Sequence, residues 1–150
     1  MKTRTLRIQS ACLVAALSIL ISCSSSTNEQ LFDSSKLARA STEEVEKVIE
    51  QFILAEDSSV IEIPAGFFEF KTQLILDNKS DIKIKGAGMK ETVLSFKDLK
   101  AGGEGVKLVG NRITLEDLTI ENAPGDGVKA QHVDGIIFRK VNVTWTHGRK

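Results

Sequence analysis

"IKIKGAGMKETVLSF", residues 82–96, decides the fold. It sets Gly86-Ala87-Gly88 directly behind the alternating run Ile82-Lys83-Ile84-Lys85. A phosphate-cradling glycine loop needs a strand before it and a helix after it. The helix N-terminus supplies the free N–H groups and the positive dipole end that hold the anion. Here the loop is followed by Thr92-Val93-Leu94-Ser95-Phe96, which is β-branched and alternating and so reads as a second strand. Glu91 stands where the dinucleotide fingerprint has its third glycine, and no Gly-Lys-Ser/Thr occurs. The glycines are therefore expected to permit a tight bend, with φ > 0 as one way to make it.

Outward from this stretch the same period of two recurs. Ile61/Ile63 returns as Ile82/Ile84, Ile113/Leu115 and Ile136/Phe138, at offsets of 21, 31 and 23 residues. Ile113, Leu115, Leu118 and Ile120 return as Ile136, Phe138, Val141 and Val143, each shifted by 23, while Val106/Leu108 returns as Val128/Ala130, shifted by 22. The long middle interval contains Lys97–Gly105, KDLKAGGEG, which reads as a loop inserted into one turn. Self-similarity at such a period marks a solenoid. No unit carries a helical pattern, so each reads as two or three short strands separated by Gly, Asn and Asp. Wrapping such units about an axis stacks strand over strand in parallel sheets. Aliphatic rows point inward, and Lys, Glu and Asp take the alternate outward positions. The expectation is an all-β, parallel β-helix over residues 58–150, with Ile82, Ile113 and Ile136 in one inward row.

A single helix precedes the repeats. Ser41-Thr42-Glu43-Glu44 fits a capping box. Val45, Val48, Ile49, Phe52 and Ile53 then lie on one face of a helix expected over 42–55, inside a segment 41–57. That face is expected to pack on the chain's own core and to plug the open end of the coil. The polar side is too acidic for a membrane-surface helix.

Before the helix comes a leader. Lys2, Arg4 and Arg7 open the chain, and Ala11–Ile21 is apolar but for Ser18, too short to span a bilayer as a mature helix. Leu20-Ile21-Ser22-Cys23 resembles the lipobox of bacterial lipoproteins. The resemblance implies removal of residues 1–22 and diacylglyceryl attachment to Cys23. Cys12 is lost with the leader, so Cys23 becomes the only mature cysteine, and acylation gives that odd cysteine a reason. Residues 23–40 are polar and Ser-rich and read as a flexible tether. Ser24 beside the anchor is not the Asp that retains such proteins in an inner membrane, so the resemblance implies the outer membrane of a cell envelope that has one. The formal net charge of zero hides a mature chain with 17 basic and 20 acidic residues. No basic patch interleaved with aromatics occurs, which argues against nucleic acid as a partner.

The order of helix, "IEIPAGFFEFKTQLIL" (61–76) and "IKIKGAGMKETVLSF" (82–96), followed by "ITLEDLTIEN" and "IIFRKVNVTW", resembles the right-handed β-helix proteins related to pectate lyases. The resemblance covers residues 42–150. It implies a right-handed coil, an acidic polysaccharide as ligand or substrate, and calcium held by carboxylates as the one cofactor to consider. Glu116, Asp117, Glu121, Asp126 and Asp134 form the richest acidic run. They belong to different coils or turns, so they read as solubilising charge, and no metal or cofactor site is expected. The catalytic residues stay unassigned. Thr146-His147-Gly148 keeps only part of the polygalacturonase pattern, and no Asp-Asp pair exists. His132 and His147 read as surface histidines, and Trp145 as a coil residue that would stack on a sugar only if it faced outward. Asn142-Val143-Thr144 matches a glycosylation sequon without consequence in a bacterial lipoprotein. Because no capping unit follows the last repeat, the stack is expected to be incomplete, the front of a longer protein. The functional expectation is a lipid-anchored envelope protein that binds acidic polysaccharide or, in a longer parent, processes it. Its rival is a non-enzymatic scaffold or adhesion module.

Overall fold

The computed structural model describes residues 32–146. The leader, Cys23 and His147 lie outside the described residues.

Helix α1, Thr42–Ile53, forms where the capping box places it. The Ser41 side chain accepts from the Glu44 N–H at 3.2 Å, and the Glu44 carboxylate accepts from the Ser41 N–H at 2.7 Å. Two of the helix's orphan donors are thereby satisfied. The helix stops two residues short of the expected position 55. Its Val48 and Phe52 are buried in the main core with Ile61 and Leu74, and it lies against β1 and β3.

Seven strands follow: β1 Val60–Glu62, β2 Gly66–Glu69, β3 Leu74–Ser80, β4 Lys83–Lys85, β5 Thr92–Ser95, β6 Val106–Glu121 and β7 Val128–Thr144. They stack into three ladders, each parallel throughout. The first face is β1, β4 and the middle of β6 and β7. The second is β2, β5 and the ends of β6 and β7. The third is β3 and the starts of β6 and β7. The chain is thus a parallel β-solenoid. The later coils are not separate short strands as expected: β6 and β7 keep their ladder bonds while turning the corners.

The corners turn on single residues. Ser58, Asp81, Arg112 and Gly135 have φ of 66°, 60°, 50° and 79° and stand one above another between the third and first faces. The Ser58 N–H donates to Ser80 O at 2.9 Å, and the Asp81 N–H to Asn111 O at 3.0 Å. A non-glycine residue there costs on the order of 1 kcal/mol, which ladder bonds on both sides offset.

This corner corrects the repeat. Ile61 stands opposite Ile84, an offset of 23 rather than 21. A slip of two residues keeps every side chain on its own face, so the apolar pattern alone cannot fix the register. The aligned left-handed residues Ser58 and Asp81 do. The other offsets stand: Ile84 meets Leu115, and Ile113, Leu115, Leu118 and Ile120 meet Ile136, Phe138, Val141 and Val143. Lys97–Gly105 forms an irregular loop between β5 and β6.

Gly86 and Gly88 do sit at a corner, but neither has positive φ. Gly86 is needed for room, since a Cβ there would lie 2.4 Å from the Asp117 carbonyl oxygen of the next coil. At Gly88 an added Cβ would meet nothing nearer than 3.4 Å, ordinary contact with Glu91.

Inside, Ile61, Ile84 and Leu115 make one buried row and Phe68, Leu94 and Ile120 another. Phe70 stacks between Phe68 and Phe96, with ring centroids 6.4 and 5.2 Å apart, a geometry that adds to area burial. Ile82 and Ile113 are buried and Ile136 is half-buried. In the fourth coil Phe138 is 50% exposed and Val143 38%, because β7 pairs only with β6 among the described strands.

Candidate functional site

The outward sides of the three faces are chemically unlike. On the first face the outward residues run in two register rows. One is Glu62, Lys85, Glu116 and Arg139, alternating in sign; the other is Val60, Lys83, Thr114 and Ile137. Glu116 is only 5% exposed although it points away from the core. Its two oxygens go to different cations: Lys83 Nζ lies 3.6 Å from Oε1, and Arg139 Nη1 donates to Oε2 at 3.0 Å. Both cations keep substantial exposure, 45% for the Lys83 side chain and 59% for Arg139.

The second face is covered. Of its outward residues, Phe67, Val93, Ser95, Thr119 and Glu121 are buried, while Glu69 and Asn142 at the two ends are exposed. Residues 33–40, part of the segment read as a tether, are held against this face. The Ala40 N–H donates to Phe67 O at 2.9 Å and the Phe67 N–H to Ala38 O at 2.8 Å, so Arg39 pairs as an extra parallel rung. Arg39 also reaches Glu69 at 2.5 Å and lies 5.0 Å over the Phe67 ring. One 3-10 turn, Ser34–Lys36, brings Ser34 Oγ to Glu121 Oε2 at 2.8 Å. Composition missed this because Ser-rich polarity resembles a linker. The signal that could have found it lies elsewhere: "GFFEF" and "TVLSF" do not alternate, as befits strands buried on both sides.

The third face carries Ile75, Lys107 and Lys129 in one outward row. Like charges directly opposite repel, and Glu104 from the inserted loop relieves the pair by bonding Lys129. Glu104 also accepts from Gln73 Nε2 at 2.5 Å and from the Gly103 N–H at 3.4 Å. The Lys129 ammonium first, then the Gly103 N–H, hold the Glu104 carboxyl down at about 2.

The acidic run of the sequence is dispersed. Glu116 and Glu121 lie on different faces, and Asp117 is the left-handed corner residue between them, φ 57°, 3.8 Å from Lys140. The Asp126 carbonyl accepts the Gly105 N–H at 2.9 Å, and Asp134 lies near Arg112, which is bidentate to Asp81 at 2.6 Å. Among the described residues no three His, Cys, Asp or Glu side chains gather in a metal-holding group. His132 is exposed, with φ 50°, where the β6–β7 ladder slips. Trp145 is half-buried; its indole N–H donates to Ala123 O at 2.6 Å, and it lines a shallow depression of about 360 Å³ with Phe138, Val141 and Val143. It therefore faces the inward rows of the last coil, not an outward sugar-stacking platform.

Comparison of the chain with protein-family profiles, with curated protein sequences and with solved structures finds no match.

Proposed function

We propose that the chain is an exported, lipid-anchored solenoid module that binds acidic polysaccharide through its outward sheet faces. In this reading Cys23 carries the lipid, the coil is right-handed as in pectate lyase-like proteins, and α1 with the Arg39 rung closes its first end. The burial of Val48 and Phe52 beside Ile61 supports that closure. The observation that carries binding rather than turnover is how the outward carboxylates are used. Glu116, Asp117, Asp81, Glu69 and Glu104 are each matched to a cation, four of them on a neighbouring rung. An acid–base pair needs carboxyl groups whose environments push them apart and a space between them for a reacting atom. Carboxylates each committed to a cation supply neither.

A protein-binding scaffold is the second reading. It is favoured by Ile53 and Leu54, 70% and 66% exposed at the C-terminal end of α1, apolar surface of the kind partners cover.

Polygalacturonate and alginate, titrated calorimetrically into the purified full-length chain with and without calcium, test the first reading. Saturable binding without unsaturated uronates or new reducing ends is expected. Absence of binding to either polymer contradicts it, and turnover contradicts the binding-only form.

A further inference from the structure

Resting on that reading, we infer that the ligand site is the first face, and that Glu116 is its positioning residue. In register, Lys85 and Arg139 both stand directly opposite Glu116, one on each side. Neighbouring strands lie about 4.8 Å apart, so on the second-coil side the simplest pair would be Lys85 with Glu116. The carboxylate instead engages Lys83 and Arg139, which belong to the second and fourth coils. One buried carboxylate thereby draws together two cations from strands about 10 Å apart along the solenoid axis. Lys85 is left exposed, with no ion pair among the described residues.

The local charge is unbalanced. Lys83, Lys85 and Arg139 stand against Glu116, with Glu62 at the first-coil end of the row. Arg139 commits Nη1 to Glu116 and remains 59% exposed, so most of its five donors still face outward. Beside them Val60 and Ile137 are 56% and 52% exposed. Cations on strands two rungs apart, next to apolar surface, suit a chain of carboxylated sugars lying along the axis. Carboxylates meet Lys83, Lys85 and Arg139, and ring C–H faces meet Ile137. The second face offers no such strip, because its outward residues in the second and third coils, Val93, Ser95, Thr119 and Glu121, are buried. The third face has one of its two stacked lysines neutralised by Glu104.

The charge arithmetic makes the test sharp. E116Q adds one positive charge to the face. If the strip attracted the polymer only through its field, binding of polygalacturonate would tighten. A positioning carboxylate predicts the reverse, since Lys83 and Arg139 lose the group that holds them. We expect E116Q and K85Q each to weaken binding about tenfold, the scale of one charge-assisted hydrogen bond. K107Q on the third face should change it little. K85Q removes no ion pair, so it tests the site even where E116Q lowers the unfolding temperature. Wild-type binding left unchanged in both K85Q and E116Q overturns this site while leaving polysaccharide binding intact. Tighter binding by E116Q overturns the positioning role. Equal competition by polyglutamate overturns the sugar as the ligand class. No wild-type binding at all overturns the underlying reading with it.

Discussion

The first and second faces share one architecture, four strands deep at their common edge with β6 and β7, yet they treat their outward sides in opposite ways. On the first, Lys83, Lys85, Glu116 and Arg139 face solvent or one another across the rungs. On the second, Phe67, Val93 and Thr119 stand at the equivalent outward positions and are buried. Residues 33–40 add the Arg39 rung and the Ser34 contact, and Met89 O of the β4–β5 loop accepts from Thr119 Oγ1 at 2.7 Å. A period of two survives only where one side of a sheet meets water. Where both sides are covered, alternation disappears from the sequence, and with it the clue to which side is which.

Substitutions of one type at three depths test this contrast. Ile113→Asp, on the inward side shared by every coil, should have the largest effect. It places a carboxylate among wholly buried aliphatic side chains, and a loss on the order of 5 kcal/mol is expected. Thermal unfolding that hardly moves would put Ile113 outside the core. Val93→Asp points outward on the covered face, where Val93 is 0% exposed; roughly 3 kcal/mol should be lost in a denaturant titration. Val60→Asp points outward on the open face and should stay within about 0.5 kcal/mol. Equal effects at positions 60 and 93 would mean that the outward side of the second face is not covered.

The smallest effect belongs to the third face. The Glu104 carboxyl is lowered from 4.5 to about 2 by Lys129 and the Gly103 N–H. A depressed acid stabilises the fold above its unfolded value, and that contribution fades as pH falls from there toward the folded value. Acidification from about pH 5 to about pH 3 should therefore loosen the 97–105 loop. Amide protection at Gly103 and Gly105, measured against the intrinsic exchange rate at each pH, should fall in the wild type and depend less on pH in E104Q. The same acid response in both would remove Glu104 from the account.

The sequence made the coils legible because inward positions such as Ile84, Leu115 and Ile120 obey a local rule, alternation, that needs no knowledge of neighbours. The capping box at Ser41–Glu44 was legible for the same reason. The first register was not, since Ile61 lies on the correct face whether it meets Ile82 or Ile84. Only the corner residues Ser58 and Asp81 decide it, and left-handed Ser or Asp has no sequence mark as clear as glycine. The Lys83–Glu116–Arg139 bridge was hidden because its members are 33 and 23 residues apart and become neighbours only once the rungs stack. Gly86 was read as conformational freedom, whereas the neighbouring coil at Asp117 demands the missing side chain.

The register of the first two coils is the most direct test of this architecture. In a chain with Cys12 and Cys23 replaced by Ser, two double variants would be oxidised and compared on non-reducing gels after proteolysis. Val60→Cys with Lys83→Cys joins parallel partners, about 4.8 Å apart, within the range a disulfide bridges. Val60→Cys with Asp81→Cys embodies the offset of 21 and separates the two by about 8 Å, beyond that range. The solenoid described here predicts rapid cross-linking of the 60/83 pair and little of the 60/81 pair. Preferential cross-linking of the 60/81 pair, or of neither, would contradict it.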